Sequence, residues 1–192
     1  MRVADSAAEA HIDQALVTRV RLHDDCRAFE QLVRRNQGMV RAQLRRLLHG
    51  DEAAADDLAQ ETFMLAWRKL DQFRGDARFS TWLYRIAYTC FLQVHRGPAR
   101  HEAIDDEAME RLQAPAQRID LRLDLERAMQ RLSAAERTVL LHCTQLGLSH
   151  EEAAYVLAMP LGTVKTHATR GKAKLKTWLA AWRDADGVEE AS

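Results

Sequence analysis

Ser149-His150-Glu151-Glu152, then Ala153-Ala154-Tyr155-Val156-Leu157, then Ala158-Met159-Pro160-Leu161-Gly162-Thr163-Val164, is the stretch that decides how this chain folds. Ser followed three residues later by Glu is the capping-box pattern, in which each side chain accepts a hydrogen bond from the other residue's orphan amide at a helix start. Ala153, Ala154, Val156 and Leu157 give that helix a small apolar face. Met159-Pro160 stops it, because a residue before proline is pushed out of the helical region. A second helix is predicted from near Leu161 to about Trp178. No acidic residue stands between Glu152 and Asp184, whereas Lys165, Arg170, Lys172, Lys174 and Lys176 recur there at helical spacing. Two surface helices with a solvated basic face would be the plain alternative. Cap, breaker and one-sided charge together favour a helix-turn-helix that meets nucleic acid.

Working outward, the 192 residues suit two small domains better than one, and 47% hydrophobic residues exclude a disordered chain. Three prolines and eight glycines among abundant Ala, Leu, Arg and Glu predict an all-α protein. The 28 basic residues are balanced by 28 acidic ones, so DNA binding has to come from local patches and is expected to be weak for the free chain. No apolar run is long enough to span a bilayer, and the expectation is a soluble, cytoplasmic protein without membrane insertion. Cys26, Cys90 and Cys143 are scattered and odd in number, which argues against a disulfide framework or a zinc site. Neither metal nor other cofactor is expected, and no nucleophile or nucleotide-loop signature suggests an enzyme.

Toward the N-terminus, Phe29, Leu32, Val33, Val40, Leu44 and Leu47 mark one face of a helix from Cys26 to about His49, ended by Gly50-Asp51. The next helix, about Ala53 to Leu70, carries Leu58 and Leu65 on one stripe and Phe63, Trp67 and Leu70 on another, so it should sit between neighbours in a bundle. A loop from Asp71 to Phe79 precedes Ser80, the expected N-cap of a helix over Thr81 to His95 that holds Trp82, Tyr84, Tyr88 and Phe91 beside Arg85. Some of these aromatics belong to a core. Aromatics and arginines sharing one corner are also how proteins hold unstacked bases. After Gly97-Pro98 periodicity is lost, and Glu102, Asp105, Asp106, Glu107 and Glu110 precede Ala114-Pro115-Ala116, as in a flexible acidic tether. Helical pattern resumes at Leu121, and Ser133-Ala134-Ala135-Glu136 is a second capping box. The expected organisation is an N-terminal extension over 1–24, a helical domain over 25–97, a linker over 98–120, a helix-turn-helix domain over 121–183 and a tail over 184–192.

Three segments resemble the extracytoplasmic-function (ECF) class of bacterial RNA polymerase sigma factors. Asp56-Asp57-Leu58-Ala59-Gln60-Glu61-Thr62-Phe63 is similar to the region 2.2 helix that binds the polymerase β′ clamp helices. Phe73-Arg74-Gly75-Asp76 through Phe79-Ser80-Thr81-Trp82-Leu83-Tyr84-Arg85-Ile86-Ala87 is similar to the loop and helix that read the −10 element. Pro160-Leu161-Gly162-Thr163-Val164-Lys165-Thr166 matches the region 4.2 helix-turn-helix that reads the −35 element. Their order and spacing make the resemblance specific.

The resemblance implies binding of core polymerase by Asp56, Asp57, Gln60, Glu61 and Phe63. It implies −10 contacts from Phe73, Arg74, Asp76, Arg78, Phe79, Trp82, Arg85, Tyr88 and Thr89. It implies −35 contacts from Thr163, Lys165, Thr166, His167, Thr169, Arg170, Lys172 and Lys174. The implied partners are the β′ clamp helices and β flap of RNA polymerase core, promoter DNA, and an inhibitor of the anti-sigma kind. Asp57, Gln60 and Glu61 share a face at i, i+3 and i+4, as a joint polar interface requires. Lys165, Thr166, Thr169 and Arg170 lie where a recognition helix reaches base edges, Lys172, Lys174 and Lys176 where it meets phosphates, and Val164, Ala168 and Leu175 where it meets its core. One segment departs from the family pattern: Tyr88, Thr89, Gln93, Val94 and His95 stand where relatives carry basic residues and Asn, so a weaker phosphate grip is expected there. A stand-alone helix-turn-helix regulator is the competing reading, and it has no use for the Asp57/Gln60/Glu61 surface.

Overall fold

The computed structural model describes residues 2–96 and 128–189, and every regular element among them is helical. They form two compact units, one built on the first four helices and one on the elements after residue 128. The tether expected over 98–120 and the helical pattern from Leu121 to residue 127 lie outside the described residues.

In the first unit, α1 (Arg2–His23), α2 (Cys26–Leu47), α3 (Glu52–Arg68) and α4 (Phe79–Arg96) form a bundle, with a short 3₁₀ turn at Leu70–Gln72. Residues 1–24 are expected only as an N-terminal extension. Arg2–His23 of this stretch form α1, which buries Leu16, Val17 and Val20 and packs on α2 and α4. Asp25 caps α2 by accepting from the Ala28 amide at 3.0 Å, and Asp51 caps α3 by accepting from Ala54 at 3.0 Å. Gly50, at φ +94°, makes the turn between them in a conformation that side chains disfavour. Helix α2 buries Ala28, Leu32, Asn36, Val40, Gln43, Leu44 and Leu47, one stripe at helical spacing. Helix α3 packs against both α2 and α4 through a single buried stripe of Ala55, Leu58, Ala59, Thr62 and Ala66, not on the two sides expected, and its alanines permit close approach. Helix α4 begins at Phe79 rather than after Ser80, with the Trp82 amide donating to the Arg78 carbonyl at 3.0 Å. Burial of the Phe79 ring draws the chain into a helical turn before the expected cap.

In the second unit, residues 128–130 are helical, α5 (Ala134–Leu140) continues into a π-helical turn at Leu141–Gln145, and α6 (His150–Leu157) and α7 (Leu161–Glu189) follow. Both capping boxes form. Ser133 Oγ and Glu136 Oε2 accept at 3.3 and 3.0 Å, and Ser149 Oγ and Glu152 Oε2 accept at 3.1 and 2.9 Å. Ala158 closes α6 at φ 53° and ψ 39°, a left-handed cap, and Pro160 then offers its carbonyl to the Val164 amide at 3.1 Å as α7 starts. Helix α7 packs on α5 and runs to Glu189, past the predicted end near Trp178 and through much of the expected tail. Val164, Ala168 and Gly171 form its buried stripe.

Candidate polymerase and promoter interfaces

On α3, Asp57, Gln60 and Glu61 are all exposed on one face, while Leu58, Ala59 and Thr62 are buried on the other. Asp56 is half-buried and takes an ion pair from Arg41 Nε at 2.9 Å, which holds it to α2. Phe63 is half-buried. Met64 and Trp67 extend this surface by a turn at 56% and 39% exposure, the Trp67 ring set edge-on to Phe29 at 4.8 Å. The sequence put Trp67 on a buried stripe and did not single out Met64. Leucine-like spacing marks a helix face but not whether a neighbour covers it.

The segment from Phe73 to Thr89 divides in two. Phe73, Phe79 and Trp82 pack against one another with ring centroids 5.3 to 5.6 Å apart, and Tyr88 stacks on Phe91 at 6.1 Å. These four expected DNA-contacting aromatics are only 2 to 8% exposed. In the free chain they therefore build the core beneath the loop, with little ring surface open to solvent. Arg74, Asp76, Arg78 and Arg85 are exposed, and Thr89 is half-buried with its hydroxyl donating to the Arg85 carbonyl at 2.8 Å. Helix α1 shapes this corner: Arg21 Nη1 donates to the Phe73 carbonyl at 3.4 Å, and Gly75 turns the loop at φ +80°. Between α1, α2 and the start of α4 lies a cavity of about 220 Å³ bordered by Asp13, Asn36, Arg78 and Ser80. At its edge, Arg35 Nε lies 2.7 Å from Asp13 Oδ1, and Asn36 Nδ2 donates to the Leu32 carbonyl at 2.9 Å. No sequence pattern pointed to it, because α1 was not recognised as part of the bundle.

On α7, Lys165, Thr166, Thr169, Arg170 and Lys172 are exposed, Thr163 and His167 are half-buried, and Val164 and Ala168 are buried beneath them. Thr166 Oγ1 donates to the Gly162 carbonyl at 2.9 Å, and Lys165 Nζ lies 4.0 Å from Glu151 of α6. Lys174 differs from the other cations of this helix. Its Nζ is 2.8 Å from Glu136 Oε2, whose carboxylate is almost fully buried, so the side chain expected at phosphate is committed to α5. Behind α5, the fully buried His142 donates from Nδ1 to the Thr138 carbonyl at 2.8 Å, and burial pushes its pKa down to about 4. Among the described residues no group of three or more His, Cys, Asp or Glu is placed to hold a metal ion, and no helix is long and apolar enough to cross a membrane.

Residues 32–101 match sigma-70 region 2, and residues 122–175 match sigma-70 region 4. The RNA polymerase sigma factor NccH of Alcaligenes xylosoxydans is 34% identical over 178 residues, which cover 88% of this chain and 95% of NccH. The ECF RNA polymerase sigma-E factor of Escherichia coli K12 is 33% identical over 180 residues, covering 86% and 93% of the two chains. The chain is an ECF sigma factor. A solved structure of CnrH in complex with the cytosolic domain of CnrY is similar as well, at 31% identity and a TM-score of 0.63, covering 88% of this chain and 98% of CnrH. As an ECF sigma factor the protein recognises promoters for RNA polymerase, and its partners are the polymerase and promoter DNA. A region 2 match over residues 32–101 leaves the stand-alone regulator without support.

Proposed function

We propose that the outer face of α3, with Asp57, Gln60 and Glu61 flanked by Met64, is the surface on which this sigma factor holds the β′ clamp helices of core polymerase. The observation that carries this reading is the joint exposure of three polar side chains on a helix clamped between α2 and α4. Such a rigid surface can meet a partner helix without reordering. The exposed Arg74, Asp76, Arg78 and Arg85 serve the −10 element, and a base extruded there enters the cavity beside Arg78 and Ser80 rather than stacking on the buried aromatics. The N-terminal half of α7 reads the −35 element through Lys165, Thr166, Thr169 and Arg170, with Thr163 and His167 at its margin and Lys172 on phosphate. The second unit also meets the β flap. The unit built on α1 to α4 and the unit after residue 128 give these tasks to separate modules.

The protein works in the cytoplasm, where polymerase is, and is not an enzyme: it positions and stabilises a DNA state without making or breaking bonds. The CnrH structure holds a second protein, the cytosolic domain of CnrY. We infer a comparable protein inhibitor for this chain. Run-off transcription with core polymerase on the DNA upstream of this protein's own gene tests the reading. A core-dependent transcript that disappears when either promoter element is replaced supports it, and none from core plus protein refutes it.

A further inference from the structure

Glu136 makes two connections through one carboxylate oxygen. It lies three residues after Ser133, so its Oε2 accepts from the Ser133 amide at 3.0 Å and closes the cap of α5. The same oxygen accepts from Lys174 Nζ at 2.8 Å, 38 residues further along the chain and on α7. The group is charged and almost entirely out of water, a state that is costly unless hydrogen bonds and a counter-charge replace the lost hydration. Ser133 and Lys174 supply both.

One turn before Lys174, α7 comes against α5 at Gly171. A Cβ at that position would stand 2.8 Å from Leu140 Cδ1 and 3.5 Å from Glu136 Cβ, and Leu140 is buried. Gly171 therefore sets how near the helices come. Gly171 contributes no side chain of its own to hold α7 in one rotational setting, so that freedom is limited by the neighbouring contacts. The Lys174 pair, at the edge of the buried Val164, Ala168 and Gly171 stripe, removes that freedom. The exposed Lys165, Thr166, Thr169 and Arg170 lie on the opposite side of the same rigid helix, so a rotation about its axis displaces all four together.

We propose that Glu136 is a positioning residue for promoter recognition, pinning Lys174 to α5 so that α7 presents its base-reading face in one rotational setting, and that Lys174 makes no phosphate contact. The proposal rests on the reading of α7 as the −35 helix. It divides the basic residues of α7 into those that meet DNA and one that aims them.

The test uses the full chain bound to core polymerase, titrated with promoter DNA and with non-specific DNA over a salt series. The variants are Glu136→Gln, Lys174→Met, the two together, and the exchanged pair Glu136→Lys with Lys174→Glu. Each single variant should weaken promoter binding by roughly threefold to tenfold, the double no more than either single, because both remove one coupling. Affinity for non-specific DNA should be unchanged, and so should the slope of log affinity against log salt, because no phosphate contact is lost. The exchanged pair restores the attraction between the helices but not the acceptor for the Ser133 amide, so it should recover promoter binding in part. Circular dichroism of each variant at the assay temperature excludes unfolding, which would weaken both DNAs together. The proposal is overturned if Lys174→Met reduces the salt slope by about 1 on both DNAs while Glu136→Gln leaves binding unchanged or tighter, since Lys174 is then a phosphate contact that Glu136 holds back. If the wild-type complex is indifferent to replacement of the −35 element, the assignment of α7 fails and this inference fails with it. The salt-slope result refutes the inference alone.

Discussion

His142 offers a test of the second unit that needs no polymerase. Its imidazole is fully buried behind α5, and burial pushes its pKa from 6.5 down to about 4, although the Thr138 carbonyl at Nδ1 acts in the opposite sense. The unfolded chain takes up a proton near pH 6.5 and the folded one resists it to about pH 4. Its contribution to stability is therefore fully present above 6.5 and is lost as the pH falls from there toward 4. At ~1.4 kcal/mol per pH unit the complete loss is about 3 kcal/mol, of which about 2 kcal/mol is gone by about pH 5. Glu136 acts in the same direction but lower: burial opposes its ionisation, yet Lys174 and Ser133 hold its carboxyl below the usual 4.5. Its contribution is present above 4.5 and declines only beneath it, so measurements from about pH 7.5 to about pH 5 isolate the histidine. Urea titrations followed at the amide resonances of α5 report this unit separately from α1–α4. His142→Asn keeps a donor for Thr138 without the titration; it should be less stable at pH 7.5 and show a much flatter dependence on pH. An imidazole that titrates near 6.5 in the folded protein, or equal pH dependence in the Asn variant, would refute the reasoning.

Further outcomes follow from other contacts. Asp57→Ala combined with Gln60→Ala should weaken capture by core polymerase by about 1–3 kcal/mol for each polar pair lost, at unchanged helicity; undiminished pull-down would remove the α3 assignment. Arg170→Ala should change preference at one −35 base pair by about 1–3 kcal/mol, whereas Lys172→Ala should weaken all sequences alike and lower the salt slope by about 1; identical behaviour across a panel of −35 variants would contradict direct readout. Gly171→Ala gains about 1 kcal/mol of helix propensity but meets Leu140 Cδ1 at 2.8 Å, an overpacking cost of about 1–3 kcal/mol, so urea unfolding should show a net loss and Leu140→Val on the Ala background should recover part of it.

What the sequence by itself determined was local or periodic. Ser133, Glu136, Ser149 and Glu152 stand within one turn of the amides they satisfy, so their spacing alone specified two helix starts, and Pro160 specified a stop. Asp57, Gln60 and Glu61 share a face because 3.6 residues make a turn, and the acid-free run in α7 is visible without any fold. The three family segments were likewise contiguous in the chain. Tertiary structure decided which side chains water can reach. Residues 1–24 look polar because α1 needs only one narrow apolar stripe, and α2 and α4 determine that Leu16, Val17 and Val20 are covered. Phe73, Phe79, Trp82 and Tyr88 read equally well as core or as a base platform until neighbouring rings enclose them. Lys174 is one of six Lys and Arg residues in its helix, and only the approach of α5 brings it to a carboxylate 38 positions away. Burial and ion pairing depend on distances between segments far apart in the chain, and hydrophobic periodicity carries the direction of a face but not the identity of what lies against it.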